Sequence, residues 1–193
     1  MASDVERERV GAAAVRLSTG LAPLAVLSAA WCSVGCSPAL DWREVRLPGM
    51  AVVATLPCKP NVSTRSVQLA DQVVRLSMLS CKADDVTWAL AAADVVDPAR
   101  VGPALQALRE STRANLQGQV AEAGPATVRG ATPHEGQSRV RVSGRKQDGS
   151  AISAQLIVFS HGTQVFQAIV MGARQPESAA ETFFDSLRAG PSQ

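Results

Sequence analysis

Tyrosine is absent from this 193-residue chain, and three tryptophans and four phenylalanines are its only aromatic residues. So sparse a set argues against a platform on which nucleic-acid bases stack, or a broad carbohydrate surface. Charge of one sign is lacking too. Nineteen basic against seventeen acidic residues leave a formal net charge of +2, far from the basic excess of a nucleic-acid binder. Only two histidines occur, His134 and His161, and no C-x-x-C, so no zinc ligand set is in view. Neither G-x-x-x-x-G-K-[ST] nor G-x-G-x-x-G is present, which removes the usual phosphate loops. The sequence predicts no catalytic residue, no metal and no cofactor, hence a protein that is not an enzyme.

What is present begins with Leu21 to Ser37, LAPLAVLSAAWCSVGCS. Leu21 to Ala30 is apolar but well short of the roughly 20 residues that cross a bilayer core as a helix. With Arg16 before it and small residues after, it fits the centre of an export signal. Ahead of it, Asp4, Glu6 and Glu8 leave Arg7 and Arg9 no basic excess, which is unusual for a signal and fits a translation start at Val10 or Val15. Cleavage has two candidates. Trp31 is too bulky before Cys32, whereas Val34-Gly35 precedes Cys36.

SVGC resembles the lipobox of bacterial lipoproteins, with Ser33 standing where that family usually has leucine. The resemblance implies that the Cys36 thiol is acylated and becomes the first residue of the mature chain. Ser37 in place of aspartate implies the outer-membrane class, on the periplasmic face. Two fatty chains on one cysteine hold stably where one holds marginally. A soluble export signal and an uncut N-terminal helix are the alternatives. The chain then divides into a signal at 1–35, a tether at 36–49 and one domain at 50–190. With Cys32 removed and Cys36 acylated, Cys58 and Cys81 remain, and an even remainder in an oxidising compartment reads as a disulfide. The closed loop is worth on the order of 3 kcal/mol.

In the tether, Trp42 and Val45 are expected to touch the domain edge. Met50 to Leu56 reads as a buried strand ended by Pro57 and Pro60. Ser66 to Leu69 reads as a short strand, turning at Ala70-Asp71-Gln72 into Val73 to Ser80, where Val74, Leu76 and Met78 alternate with Arg75 and Ser77. Lys82 to Asp85 turns the chain into Val86 to Val95, a strand whose alanines also permit helix. Asp97-Pro98 caps a helix, interrupted at Gly102-Pro103 and regular from Pro103 to Gln117, with Val101, Leu105, Leu108 and Leu116 as its apolar stripe. Gly118 is the expected stop. Ala126 to Arg129 is a further short strand. Arg139 to Arg145 is a strand, Asp148-Gly149 a hairpin signal, and Ile152 to Ser160 pairs with Thr163 to Met171. Pro176 opens a last helix burying Ala180, Phe183, Phe184 and Leu187, with Glu177 and Glu181 at its start and Arg188 at its end.

Hairpins rather than crossovers predict an α+β fold: an antiparallel sheet with two main helices packed on it. From the proline-ended first strand, the central helix, the meander and the FFDSL helix, Met50 to Ala189 resembles the PsbP-like fold of small exported and lipid-anchored bacterial proteins. GCSPALDWREVR and PCKP are similar to segments of a group of uncharacterised proteobacterial lipoproteins.

Ser160-His161 lacks the strained elbow and separate orienting carboxylate of a serine hydrolase. His134 and Glu135 lie in a loop composition, with a ligand or metal contact as the sharper alternative. Asp84-Asp85 and Asp94/Asp97 are carboxylate pairs at turns, where caps are commoner than glycosidase chemistry. Arg139, Arg141, Arg145 and Lys146, with Arg129, form the candidate anion-binding strand, for lipid headgroups or an envelope polyanion; a solvated or guarded edge is the alternative. The expected protein is a non-catalytic membrane-anchored lipoprotein of the periplasm, a binding or envelope-assembly accessory. Its partners would be the membrane through the lipid anchor and an envelope protein, without nucleic acid.

Overall fold

The computed structural model describes residues 40–190, and the expected signal, cut site and Cys36 lie outside them. Along this stretch the two-residue period sets the strands. In order they are β1 (Arg43–Arg46), β2 (Val52–Leu56), β3 (Asn61–Leu69), β4 (Gln72–Ala83), β5 (Val86–Asp94), β6 (Gln119–Glu122), β7 (Ser138–Arg145), β8 (Ala151–His161), β9 (Gln164–Gly172) and β10 (Arg188–Ala189). Helix α1 (Val101–Asn115) follows β5 through a 3-10 turn, Pro98–Arg100, and α2 (Glu177–Asp185) follows β9. The class is α+β, mostly antiparallel sheet with two helices.

Seven strands form one sheet in the order β3-β4-β5-β9-β8-β7-β6, and β1-β2-β10 form a second, small one. Every pairing between neighbours is antiparallel. Alternation divides the large sheet into two buried faces. Leu79, Cys81, Trp88, Leu90, Ala92, Ile157, Phe159, Phe166 and Val170 join β2 and α2 in one core. Val74, Leu76, Ala91, Ala93, Leu156, Val158 and Val165 join Leu105 and Leu108 of α1 in the other. The alanines of β5 are thus strand residues, with Ala91 and Ala93 on the α1 side and Ala92 on the other.

Four expectations need correction. The tether is not free to residue 49: Arg43–Arg46 pair with β2 as a strand, and Leu47 is 1 % exposed. β3 begins at Asn61 rather than Ser66, because Asn61 to Ser66 are exposed on both faces and leave no apolar pattern to read. Ala126 to Arg129 is not a strand; only Arg129 makes an isolated parallel bridge, with Arg188. Arg188 in turn lies in β10 opposite Val53 rather than at the end of α2, and its guanidinium meets Glu44 at 2.6 Å.

Two helix signals also need correction. Gly102-Pro103 does not break α1, since both fall in its first turn, where a proline's missing N–H goes unused. Gln117, at φ 47°, takes the left-handed position expected of Gly118. Gly118 is instead required by contact: a Cβ there would sit 2.6 Å from Val142 Cγ1 and 2.8 Å from the Ser143 carbonyl oxygen.

Candidate functional site

Cys58 and Cys81 form a disulfide, with their Cα atoms 5.9 Å apart across 23 residues. Cys81 lies in β4, facing the aromatic core, and Cys58 sits just beyond β2. The bridge therefore ties the small sheet to the large one.

The arginine strand is β7, with Val140 and Val142 buried on the α1 face and the arginines on the other. Its cations do not act as one patch. Arg139 is committed inward. Its guanidinium makes two bonds to the Glu181 carboxylate of α2, one at 3.0 Å, and lies 5.0 Å above the Phe184 ring. That arrangement joins a bidentate pair to a cation–π contact. Arg145 donates to the Gly149 carbonyl of its own hairpin at 2.9 Å. Lys146 lines a cleft with Lys82, Asp85 and Thr87. Arg129 belongs to the bridge with β10. Arg141 remains, exposed in a shallow polar notch of about 240 Å³ with Ser153, Gln155, Gln175 and Glu177.

That notch is built on a buried amide. Gln155 is 5 % exposed, and its Nε2 donates to Gln175 Oε1 at 3.0 Å. Gln175 Nε2 donates in turn to the Ser153 carbonyl at 2.6 Å. A glutamine at an inward position of a strand otherwise reading as continuous core was the signal available in the sequence. Its link to Gln175 was not legible, because 20 residues separate them.

His134 lines a second notch, about 510 Å³, with Gly102, Gln106, Arg109, Glu135 and Ser138. Its Nδ1 accepts from the Gly136 N–H at 2.9 Å, so the other ring nitrogen carries the proton of the neutral imidazole. The ring packs on the first turn of α1, where a Cβ at Gly102 would lie 3.1 Å from Cε1. Arg109 pairs with Glu122 at 3.5 Å. The imidazole closes a loop against a helix.

Ser160 and His161 point to opposite sides of β8. The serine is 1 % exposed and its Oγ has no hydrogen-bond partner, while His161 Nδ1 lies 2.8 Å from the Gly130 carbonyl oxygen. Neither activates the other. Asp84 and Asp85 form a tight turn with φ of 48° and 61°, which short polar side chains tolerate. The Lys82 ammonium, 2.8 Å away, bonds to Asp85 and holds its carboxyl below the usual range. Asp97 caps the 3-10 turn as expected, accepting from Ala99 N–H at 2.9 Å. Asp94 accepts from Val96 N–H at 2.8 Å and from Thr163 Oγ1 at 2.7 Å. The carboxylate pairs are turn-forming groups.

Among the described residues no three of His, Cys, Asp and Glu gather as a metal-binding set, and no helix is long and apolar enough to cross a membrane. No known protein family and no curated protein matches the chain.

Proposed function

We propose that the protein is a non-catalytic lipoprotein, anchored through acylated Cys36 on the periplasmic face of the outer membrane, where it serves as a binding or envelope-assembly accessory. The Cys58–Cys81 bridge carries this reading. Disulfides persist in oxidising compartments outside the cytoplasm, and closing this one leaves Cys32 and Cys36, both beside the apolar stretch, as the remaining thiols. The antiparallel α+β body is also of the kind found in PsbP-like exported proteins, and we assign residues 50–190 to that fold.

The shape of the surface favours a protein partner over chemistry. Its notches are shallow, and the polar groups in them are engaged in holding loops and helices: Gln155 with Gln175, His134 with Gly136. The groups with displaced pKa values, Asp85, Glu110, Arg113 and Asp148, are all on the exterior. Binding of an envelope polyanion or lipid headgroup through β7 is the lesser reading, because Arg139 is spent on Glu181 and Arg141 shares its notch with Glu177.

The test is metabolic labelling with palmitate. Label is expected in the wild-type chain and lost in Cys36→Ser, with the protein moving from membranes to the soluble fraction. Equal labelling of both, or none in either, refutes the anchor.

A further inference from the structure

A nine-residue strand with one free edge is the most conspicuous unfinished feature of the large sheet. β3 pairs with β4 without a break from Asn61↔Ser80 to Leu69↔Gln72. Among the described residues its other edge has no neighbour in the sheet order. The hydrogen-bonding phase of that edge follows from the next hairpin. Asp84 and Asp85 are both at positive φ in a two-residue turn, so Ala83↔Val86 is a hydrogen-bonded pair. Odd-numbered residues of β4 therefore bond to β5 and even-numbered ones to β3. Through the β3–β4 register this turns the N–H and C=O of Val62, Thr64, Ser66 and Gln68 outward.

Such edges are normally blunted by lysines, prolines, bulges or brevity. β3 has Arg65 as its single charge, no proline and no bulge. The opposite edge is guarded. β6 has four residues, and its last, Glu122, is paired with Arg109.

We propose that β3 is the seam of a two-fold dimer, formed by antiparallel pairing with β3 of a second copy about an axis through Thr64. The short β6 offers a poor partner for β3, so a closed two-fold contact is favoured over a head-to-tail chain. Three conditions favour this axis over one through Arg65 or Ser66. Side chains opposite one another must share a face, so paired residue numbers add to an even sum. Centring on Arg65 would set arginine against arginine, which is unfavourable. Centring on Ser66 would bring in Leu69, which is buried beside α1, whereas Asn61 to Ser66 are exposed throughout. About Thr64, Val62 faces Ser66, Ser63 faces Arg65 and Asn61 faces Val67. The two outward backbone groups of Thr64 then bond to those of its symmetry mate.

The test uses the full chain extracted in detergent from cells. Sedimentation over the micromolar range is expected to give twice the chain mass, and Thr64→Lys, which sets two ammonium groups face to face, to give the single mass. Ser66→Pro removes one outward N–H without touching the ladder to β4 and is expected to do the same. Unchanged circular dichroism of either variant shows that the fold is intact. Thr64→Cys is expected to cross-link into a covalent dimer on oxidation, since a bonded antiparallel pair sits within disulfide reach. Val96→Cys, also exposed, and the unsubstituted chain are expected to remain uncross-linked. A monomeric wild type, or a dimer that survives Thr64→Lys and leaves Thr64→Cys unlinked, overturns the proposal.

Discussion

The two faces of the seven-stranded sheet are packed with different side chains. On one side lie all six aromatic residues of the described body: Trp42, Trp88, Phe159, Phe166, Phe183 and Phe184. Trp88 is the hub, with ring centroids 6.0 Å from Trp42 and 5.8 Å from Phe183, both edge-on. On the other side, under α1, the core is aliphatic throughout. A chain with few aromatics has placed them where the sheet must be spanned to two separate elements, α2 and the small sheet. Where α1 lies on β8 and β9, Leu156, Val158 and Val165 meet Leu105 and Leu108 without any ring. One face is filled by rings, the other by branched aliphatic side chains.

Truncation is the harshest way to challenge that contrast. Trp88→Ala should cost about 3–5 kcal/mol, read from denaturant unfolding, and more than Leu105→Ala on the opposite face; the reverse order would refute the asymmetry. Removing the bridge with Cys58→Ser and Cys81→Ser together should cost on the order of 3 kcal/mol, and leave the α1 face the more protected in hydrogen exchange. Ala91→Leu, by contrast, adds volume to an aliphatic core already filled, and should cost about 1–3 kcal/mol. Gln167, on β9, donates at 2.9 Å to both the Leu108 carbonyl and Thr112 Oγ1 of α1, so Gln167→Ala should loosen that helix by about 1 kcal/mol, seen as faster exchange of its amides.

The smallest effect is at two hairpin turns, β4 to β5 and β7 to β8. The folded state lowers the Asp85 pKa, chiefly through the hydrogen bond from Lys82 and then its charge. Asp148 is lowered likewise by bonds from Ser150. Their contribution is present above the ordinary carboxylate range and is lost as pH falls through the folded values. A slight decline in thermal midpoint on acidification, reduced in Lys82→Ala, is the expected record.

Where burial wrote a pattern into the chain, the elements were legible. Val74, Leu76 and Met78 announced β4, and the stripe of Leu105 and Leu108 announced α1. Where both faces are wet, the pattern vanishes, so β6 and the first half of β3 went unread. β1 was hidden by its charges: Arg43, Glu44 and Arg46 read as solvated tether, yet backbone pairing to β2 holds them in a strand. Arg139 shows the same limit for sites. Alternation placed it on a strand face, but the carboxylate and ring that engage it are 42 and 45 residues away in sequence. The bridge was legible because counting cysteines needs no geometry.

Intact-mass analysis of the protein extracted from cell envelopes addresses the compartment, the anchor and the bridge together. The expected species begins at Cys36, carries fatty acyl mass on its first residue, and takes up alkylating reagent at Cys58 and Cys81 only after reduction. A chain that retains its first 35 residues, with an unmodified Cys36 thiol and three more reactive thiols (Cys32, Cys58 and Cys81) without reduction, would contradict it.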